Sequence, residues 1–370
     1  MPWEYRCESC GHRESLDAVV WRCAVCGGAY ALDGPNQLAA DAIDRADNTL
    51  WRYRAILPVG REHARSLGEG MTPLVAGTLA GREVWFKHDA LLPTGSFKDR
   101  GAAVLVAHLR RLGLNRVIVD SSGNAAAAMA GYSAAAGLDC TVYAPATTSP
   151  GKLVQSRAFG ATVILVEGNR EAVAQAAQDA AAADSSAFYA SHNWHAVFVE
   201  GVKTWALEVW EQLGGRNPAA AFVPTGGGSA FVGAARGFAA TGNSLPILFA
   251  AQPAACAPIV AAHSHGAAMS VTPGTTIAEG TRIAAPSRPG QILAALNDSC
   301  GHAIAVSEEQ LVATLRELWG QGLYVEPTAA VGAAACRAAL EQGQQFADGP
   351  LVVLLTGSGL KATETIATLV

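Results

Sequence analysis

Two groups of residues in this 370-residue chain have the types and spacing to do chemistry. The first is a set of four cysteines, Cys7-x2-Cys10 and Cys23-x2-Cys26, with twelve residues between the pairs. Each pair is followed by glycine, and such knuckles let thiolates converge on one point. Four sulfurs suit tetrahedral Zn²⁺ and leave no open position for catalysis. The segment is too short to build a core, so the metal would supply its folding energy. Rubredoxin-like iron, a disulfide and a vestigial knuckle are the competing readings. The second group centres on Lys98, within Pro93-Thr94-Gly95-Ser96-Phe97-Lys98-Asp99-Arg100-Gly101. A lysine amine can form an imine with a carbonyl if it is held at one point and partly desolvated. A Gly-Ser turn entering an apolar helix does both.

The elements around these residues must hold them in place. Residues 1 to about 32 read as a separate unit. Residues 33 to 68 read as an arm with a polar helix at Asp41-Ala42-Ile43-Asp44-Arg45. Trp85-Phe86-Lys87 reads as a strand. Strands over 116–120, 140–143 and 162–166 alternate with helices over 125–136, 153–159 and 170–183. Such alternation predicts a mostly parallel, doubly wound α/β sheet. Buried strands follow at 220–223 and 351–355. Half of the residues are hydrophobic and 15% are charged, which supports a sizeable core. The net charge of −5 and the lack of a basic stripe argue against nucleic acid as a partner. No apolar stretch has the length and flanks of a membrane span. The first residues, Met1-Pro2-Trp3-Glu4-Tyr5-Arg6, lack a signal-peptide layout, so a soluble cytoplasmic protein is expected. Cys140, Cys256, Cys300 and Cys336 lie among apolar neighbours and read as reduced, buried small hydrophobes.

Two strand-to-helix turns can bind anions. Ser121-Ser122-Gly123-Asn124 follows the 116–120 strand, and amides at a helix start suit a carboxylate. By itself this turn is equally a Ser/Asn cap. Pro224-Thr225-Gly226-Gly227-Gly228-Ser229 precedes a helix over 230–240. Successive glycines let backbone amides approach a phosphate closely. It is neither a Walker loop nor G-x-G-x-x-G.

Together with Gly68-Glu69-Gly70-Met71-Thr72-Pro73-Leu74, Gly201-Val202-Lys203-Thr204, Val325-Glu326-Pro327-Thr328-Ala329-Ala330 and Thr356-Gly357-Ser358-Gly359-Leu360-Lys361, these motifs carry a resemblance. From about 68 to 362 the chain resembles the threonine synthase family of pyridoxal-phosphate (PLP) enzymes. An N-terminal zinc ribbon occurs in a branch of that family and in the related cysteate synthases. The resemblance implies fold type II: two doubly wound parallel-sheet lobes with the cofactor between them. The expected boundaries are 1–32 for the ribbon and 33–100 for the arm and first part of the large PLP lobe. The small lobe is then 101–200, and 201–370 the rest of the large lobe. A homodimer is expected on the same ground.

The site residues follow from the resemblance. Lys98 carries the imine and shuttles protons, with Phe97 beside it at the cofactor. Asn124 hydrogen-bonds the cofactor 3′-oxygen, and Gly226, Gly227, Gly228 and Ser229 cup its 5′-phosphate. Thr356 faces the pyridine nitrogen, and a neutral partner there favours elimination and replacement over transamination. Ser96, Ser121, Ser122, Gly123, Asn124, Ala125 and Lys203 would bind the amino-acid substrate. Cys7, Cys10, Cys23 and Cys26 would hold structural Zn²⁺. The implied reaction converts O-phospho-L-homoserine and water to L-threonine and phosphate.

The chain departs from the family where substrate phosphate is held. Ala125 and Ala126 stand where Thr-Ser is usual, and Phe198 aligns with an arginine. A buried dianion without arginine is costly. The loop 226–229 and Thr276-Ile277-Ala278-Glu279-Gly280 are closer to amino-acid dehydratases. Either Lys203, Arg100 or Lys152 replaces the missing contacts, or the enzyme is a threonine/serine dehydratase or a β-replacing, cysteate synthase-like enzyme. His88, His192, Trp194, His195 and Glu279 are further candidates for the pocket, while Glu326 reads as structural. Gln252 reads as a strand end near the cofactor.

Overall fold

The computed structural model describes residues 2–266 and 269–370. In chain order its strands are β1 (Glu4–Cys7), β2 (Arg13–Ser15), β3 (Tyr30–Asp33), β4 (Leu74–Leu79) and β5 (Arg82–Lys87). Then come β6 (Arg116–Asp120), β7 (Asp139–Pro145), β8 (Thr162–Val166) and β9 (Ala187–Tyr189). The last are β10 (Ala220–Pro224), β11 (Ile247–Pro253), β12 (His302–Val306) and β13 (Leu351–Leu354). Contacts divide the chain into two units: Met1–Gly70 with Lys98–Val202, and Met71–Phe97 with Lys203–Val370.

The first unit holds two sheets. The cysteine segment forms an antiparallel sheet in the order β2-β1-β3, with strands of three or four residues. Strands this short need outside support. They find it on the same unit: Tyr5 of β1 hydrogen-bonds His108 at 3.1 Å, and Arg111 donates to the Leu16 carbonyl at 3.0 Å. The second sheet is parallel throughout, in the order β8-β7-β6-β9, as the strand–helix alternation predicts. Its alanine-rich helix Asn124–Ala136 has strong intrinsic helix propensity and stops at Gly137, in the left-handed conformation that favours glycine.

The second unit is built on one six-stranded sheet, β12-β11-β10-β13-β5-β4, in which only β4 runs antiparallel to its neighbour. β10 and β13 are buried along their whole length, as expected of central strands covered on both faces.

Two expectations are corrected. The polar helix at 41–45 does not form; a single 3₁₀ turn, Ala40–Ala42, stands there. The segment has no apolar stripe to bury, and the Asp44 carboxylate accepts from the Ala46 amide and pairs with Arg54. The division of residues 33–100 also differs, because residues up to Gly70 cluster with Lys98–Val202. The buried Glu69 explains this. Its carboxylate accepts from Trp51 Nε1 (2.8 Å), the Leu67 amide (2.8 Å), Ser66 Oγ (3.1 Å) and Tyr132 Oη (3.0 Å) on the helix Asn124–Ala136.

The helices Lys98–Arg111 and Ala196–Val202 approach at Gly201, where a Cβ would stand 2.1 Å from the Arg100 carbonyl oxygen. Backbone cannot yield as a side-chain end can. Gly201→Ala is expected to cost about 3 kcal/mol, at the upper end for overpacking. The check is a lower urea midpoint at unchanged slope.

Candidate active site

Lys98 is the first residue of the helix Lys98–Arg111 and belongs to the first unit. Its Nζ lies 5.7 Å from the centroid of the Phe198 ring. Phe198 is fully buried, and the His192 ring meets it edge-on at 5.8 Å. Burial, followed by the charges of Lys98 and Arg170, pushes the His192 imidazole well below its usual value, so it is neutral at pH 7. Phe198 therefore places a neutral ring beside the lysine.

The turn 121–124 also lies in this unit. It leaves the end of β6 directly after Asp120, with the Gly123 amide donating to Ser121 Oγ at 3.4 Å. The helix begins at Asn124, and Ala125 is buried on its first turn. Ser121, Ser122, Gly123 and Asn124 are all partly accessible.

The second unit carries the residues that precede Lys98 and the glycine loop. The Phe97 amide donates to the Thr356 carbonyl at 2.9 Å, and Ser96 forms a bridge with Gly357. Thr356 Oγ1 and Ser96 Oγ are buried without a hydrogen-bond partner. At the end of β10, the Thr225 amide donates to the Ala251 carbonyl at 2.8 Å. Gln252 then fixes the loop. Its Nε2 donates to the Thr225 carbonyl (3.0 Å), and its Oε1 accepts from the amides of Ile259 and Val260. Gly228 has φ +97°, and a Cβ there would stand 2.6 Å from Ile292 Cδ1. Among the described residues, the amides of Gly226, Gly227, Gly228 and Ser229 donate to no backbone carbonyl.

This unit also buries an ion pair that the sequence reading did not identify. Lys87 Nζ lies 2.6 Å from Glu208 Oε2 and donates to the Thr72 carbonyl (2.7 Å) and Gln212 Oε1 (3.0 Å). Glu208 accepts in turn from the Thr72 amide, and Thr72 Oγ1 donates to Asp89. Segments distant in sequence are joined here.

Other candidates are sorted by their surroundings. His195 packs against Tyr5, His108 and Phe188. Trp194 meets Trp21 from the cysteine segment. Lys203 is buried at the start of the second unit, and Glu279 is exposed on the turn Glu279–Thr281. The Glu326 amide donates to the Gly357 carbonyl, which places Glu326 beside the Thr356 segment. His88 is buried with Nδ1 unpartnered, and burial lowers its basicity. His192 is the histidine on which the Lys98 charge acts. Gln252, read only as a strand end, holds the glycine loop.

The four cysteines converge. Cys7 and Cys26 Sγ are 3.4 Å apart, Cys10 and Cys23 are 3.7 Å apart, and all four sulfurs lie within 4.8 Å of one another. Sulfurs about 2.3 Å from a tetrahedral centre stand about 3.8 Å apart, so the set fits Zn²⁺. All four are free thiols, far from the roughly 2.05 Å of a disulfide.

A family profile described as pyridoxal-phosphate dependent enzyme matches residues 65–357. The chain is 31% identical to a threonine synthase of Methanosarcina acetivorans, over 98% of this chain and 93% of that protein. It is 33% identical to a threonine synthase of Methanocaldococcus jannaschii, over 96% and 92%. A solved threonine deaminase of T.th. superposes with a TM-score of 0.67 at 27% identity, over 78% of this chain and 92% of that one.

Proposed function

Because the chain belongs to the pyridoxal-phosphate-dependent enzymes, with threonine synthases as homologues over nearly its whole length, we propose that it converts O-phospho-L-homoserine and water to L-threonine and phosphate. That full-length similarity is the observation that carries the reading. The residues present fit PLP. The free amides of 226–229 suit a phosphate, and the buried, unpartnered Thr356 Oγ1 suits a ring nitrogen. When bound, PLP supplies the electron sink for bond changes at Cα, Cβ and Cγ.

The chain's own residues do the rest. Lys98 Nζ takes and returns protons along the substrate carbons as phosphate leaves Cγ and water adds at Cβ. The backbone of 121–123 and the start of the helix at Asn124 bind the substrate carboxylate, while Asn124 also holds the cofactor 3′-oxygen. Phe198 and neutral His192 place uncharged rings beside Lys98. Zn²⁺ on Cys7, Cys10, Cys23 and Cys26 is structural. The working form in this reading is a cytoplasmic homodimer. Among the described residues, no helix is long and apolar enough to cross a membrane.

A second reading has its own support. Phe198 beside Lys98, with Ala125 and Ala126 on the next helix, offers no charged partner for a phosphate leaving group. That favours a threonine/serine dehydratase or a β-replacing synthase. A substrate panel separates them. Phosphate release from O-phosphohomoserine is expected to exceed 2-oxo acid formation from threonine or serine by at least about tenfold in kcat/KM. The opposite order would establish the dehydratase, and turnover of neither would favour the β-replacing synthase.

A further inference from the structure

The cysteine segment meets the rest of its unit at a second place, through Trp21, two residues before Cys23. The Trp21 ring meets Tyr189 edge-on at 4.7 Å and Trp194 at 5.7 Å, and the Arg22 guanidinium covers it at 4.4 Å. Tyr189 is buried at the end of β9, paired in register with Ile118 of β6. Two residues on, β6 ends at Asp120, and the turn 121–124 follows at once. The hydroxyls of Tyr189 and Ser191 face the Asp120 carboxyl. They stand outside normal hydrogen-bond geometry, so Tyr189 Oη, Ser191 Oγ and one Asp120 oxygen are buried without partners. Burial raises the Asp120 carboxyl above its ordinary value, opposed by the charge of Arg170.

Three adjacent buried polar atoms without partners are costly, and a shift of the Tyr189 ring toward Asp120 would pair two of them. Ala177 and Ala181 of the helix Arg170–Ala183 pack in the same cluster as that ring; from the cysteine segment it is touched by Trp21, whose position depends on the metal-held fold.

We propose that Trp21 is a positioning residue. It transmits the folded state of the four-cysteine segment through Tyr189 to Asp120, and so sets the turn 121–124 for the substrate carboxylate. This rests on reading 121–124 as the carboxylate site. Metal in the segment then tunes substrate affinity as well as local stability. The chemistry at Lys98 is untouched, so the effect falls on KM and not on kcat.

The test uses the holoenzyme. Trp21→Ala is expected to raise KM, and the calorimetric Kd for the amino-acid substrate or an unreactive carboxylate analogue, about tenfold, with kcat within about twofold. Trp21→Phe keeps an edge-to-face partner and should recover most of the affinity. Metal-depleted wild type should show the same weakening, and depletion should add nothing to Trp21→Ala, since the two act on one path. Thermal melts verify that each variant is folded. Wild-type KM and Kd in folded Trp21→Ala, or a full further effect of depletion in that variant, would overturn the proposal. So would an equal loss in Trp21→Phe. Ser122→Pro, which removes a backbone donor of the turn, separates this from the reading beneath it. Unchanged substrate affinity in the folded variant removes the carboxylate role of 121–124. Weakened affinity in Ser122→Pro but not in Trp21→Ala defeats the positioning role alone.

Discussion

Lys98→Ala is expected to abolish the absorbance band of the bound cofactor and to lower turnover by at least about a thousandfold. The magnitude follows from two losses at one atom. Without Nζ the cofactor has no covalent anchor, and no amine remains to move protons along the substrate carbons. Lys98→Arg should not rescue activity. A guanidinium stays protonated at every accessible pH and cannot form the imine. The fold should survive, since Lys98 is partly accessible and stands at the first position of its helix, where little packing depends on it. Urea midpoints of wild type and variant should therefore agree closely. Turnover persisting in folded Lys98→Ala would remove the central role assigned to this residue.

The largest expected effect on stability is at Glu208. Glu208→Ala leaves Lys87 buried without its carboxylate, because the pair is fully enclosed on both sides. Breaking a buried pair by removing one partner costs about 3–5 kcal/mol. At roughly 2–4 °C per kcal/mol, the melting temperature should fall by about 10 °C. The Thr72 amide loses an acceptor as well, so the chain entering β4 should loosen. Replacing both charges, as Lys87→Met with Glu208→Leu, should recover most of the loss, because the cost lies in the stranded charge. A Glu208→Ala midpoint within error of wild type would show that Thr72 and Gln212 suffice for Lys87.

Much of the fold is legible in the sequence because its signals are local. Apolar runs at 116–120 and 162–166 separated by alanine-rich stretches can be read as strand and helix without knowing what they pack against. Lys98, the glycine loop and the cysteine pairs are equally local, each fixed by a few neighbouring residues. What was not legible depends on partners distant in the chain. Glu69 looks like part of a surface motif until Trp51 and Tyr132 are seen to donate to it. His195 and Trp194 read as pocket residues because they neighbour His192, but the aromatic rings of the cysteine segment claim them. The polar stretch at 41–45 has helix-compatible residues but a single buried apolar side chain, Ile43, a balance that tertiary packing decides.

The position of β13 bears on how the protein is made. It pairs with β10 on one side and β5 on the other, at the centre of the six-stranded sheet, yet it is the last strand among the described residues. On a ribosome, the β4–β5 pair emerges early and waits through most of synthesis with one edge of β5 open. Only when residues 351–354 appear can the sheet close. Nascent or C-terminally shortened chains therefore expose two strand edges, on β5 and β10, that full-length protein conceals. This gives chaperone demand and aggregation a defined origin, which ends with the insertion of a single four-residue strand.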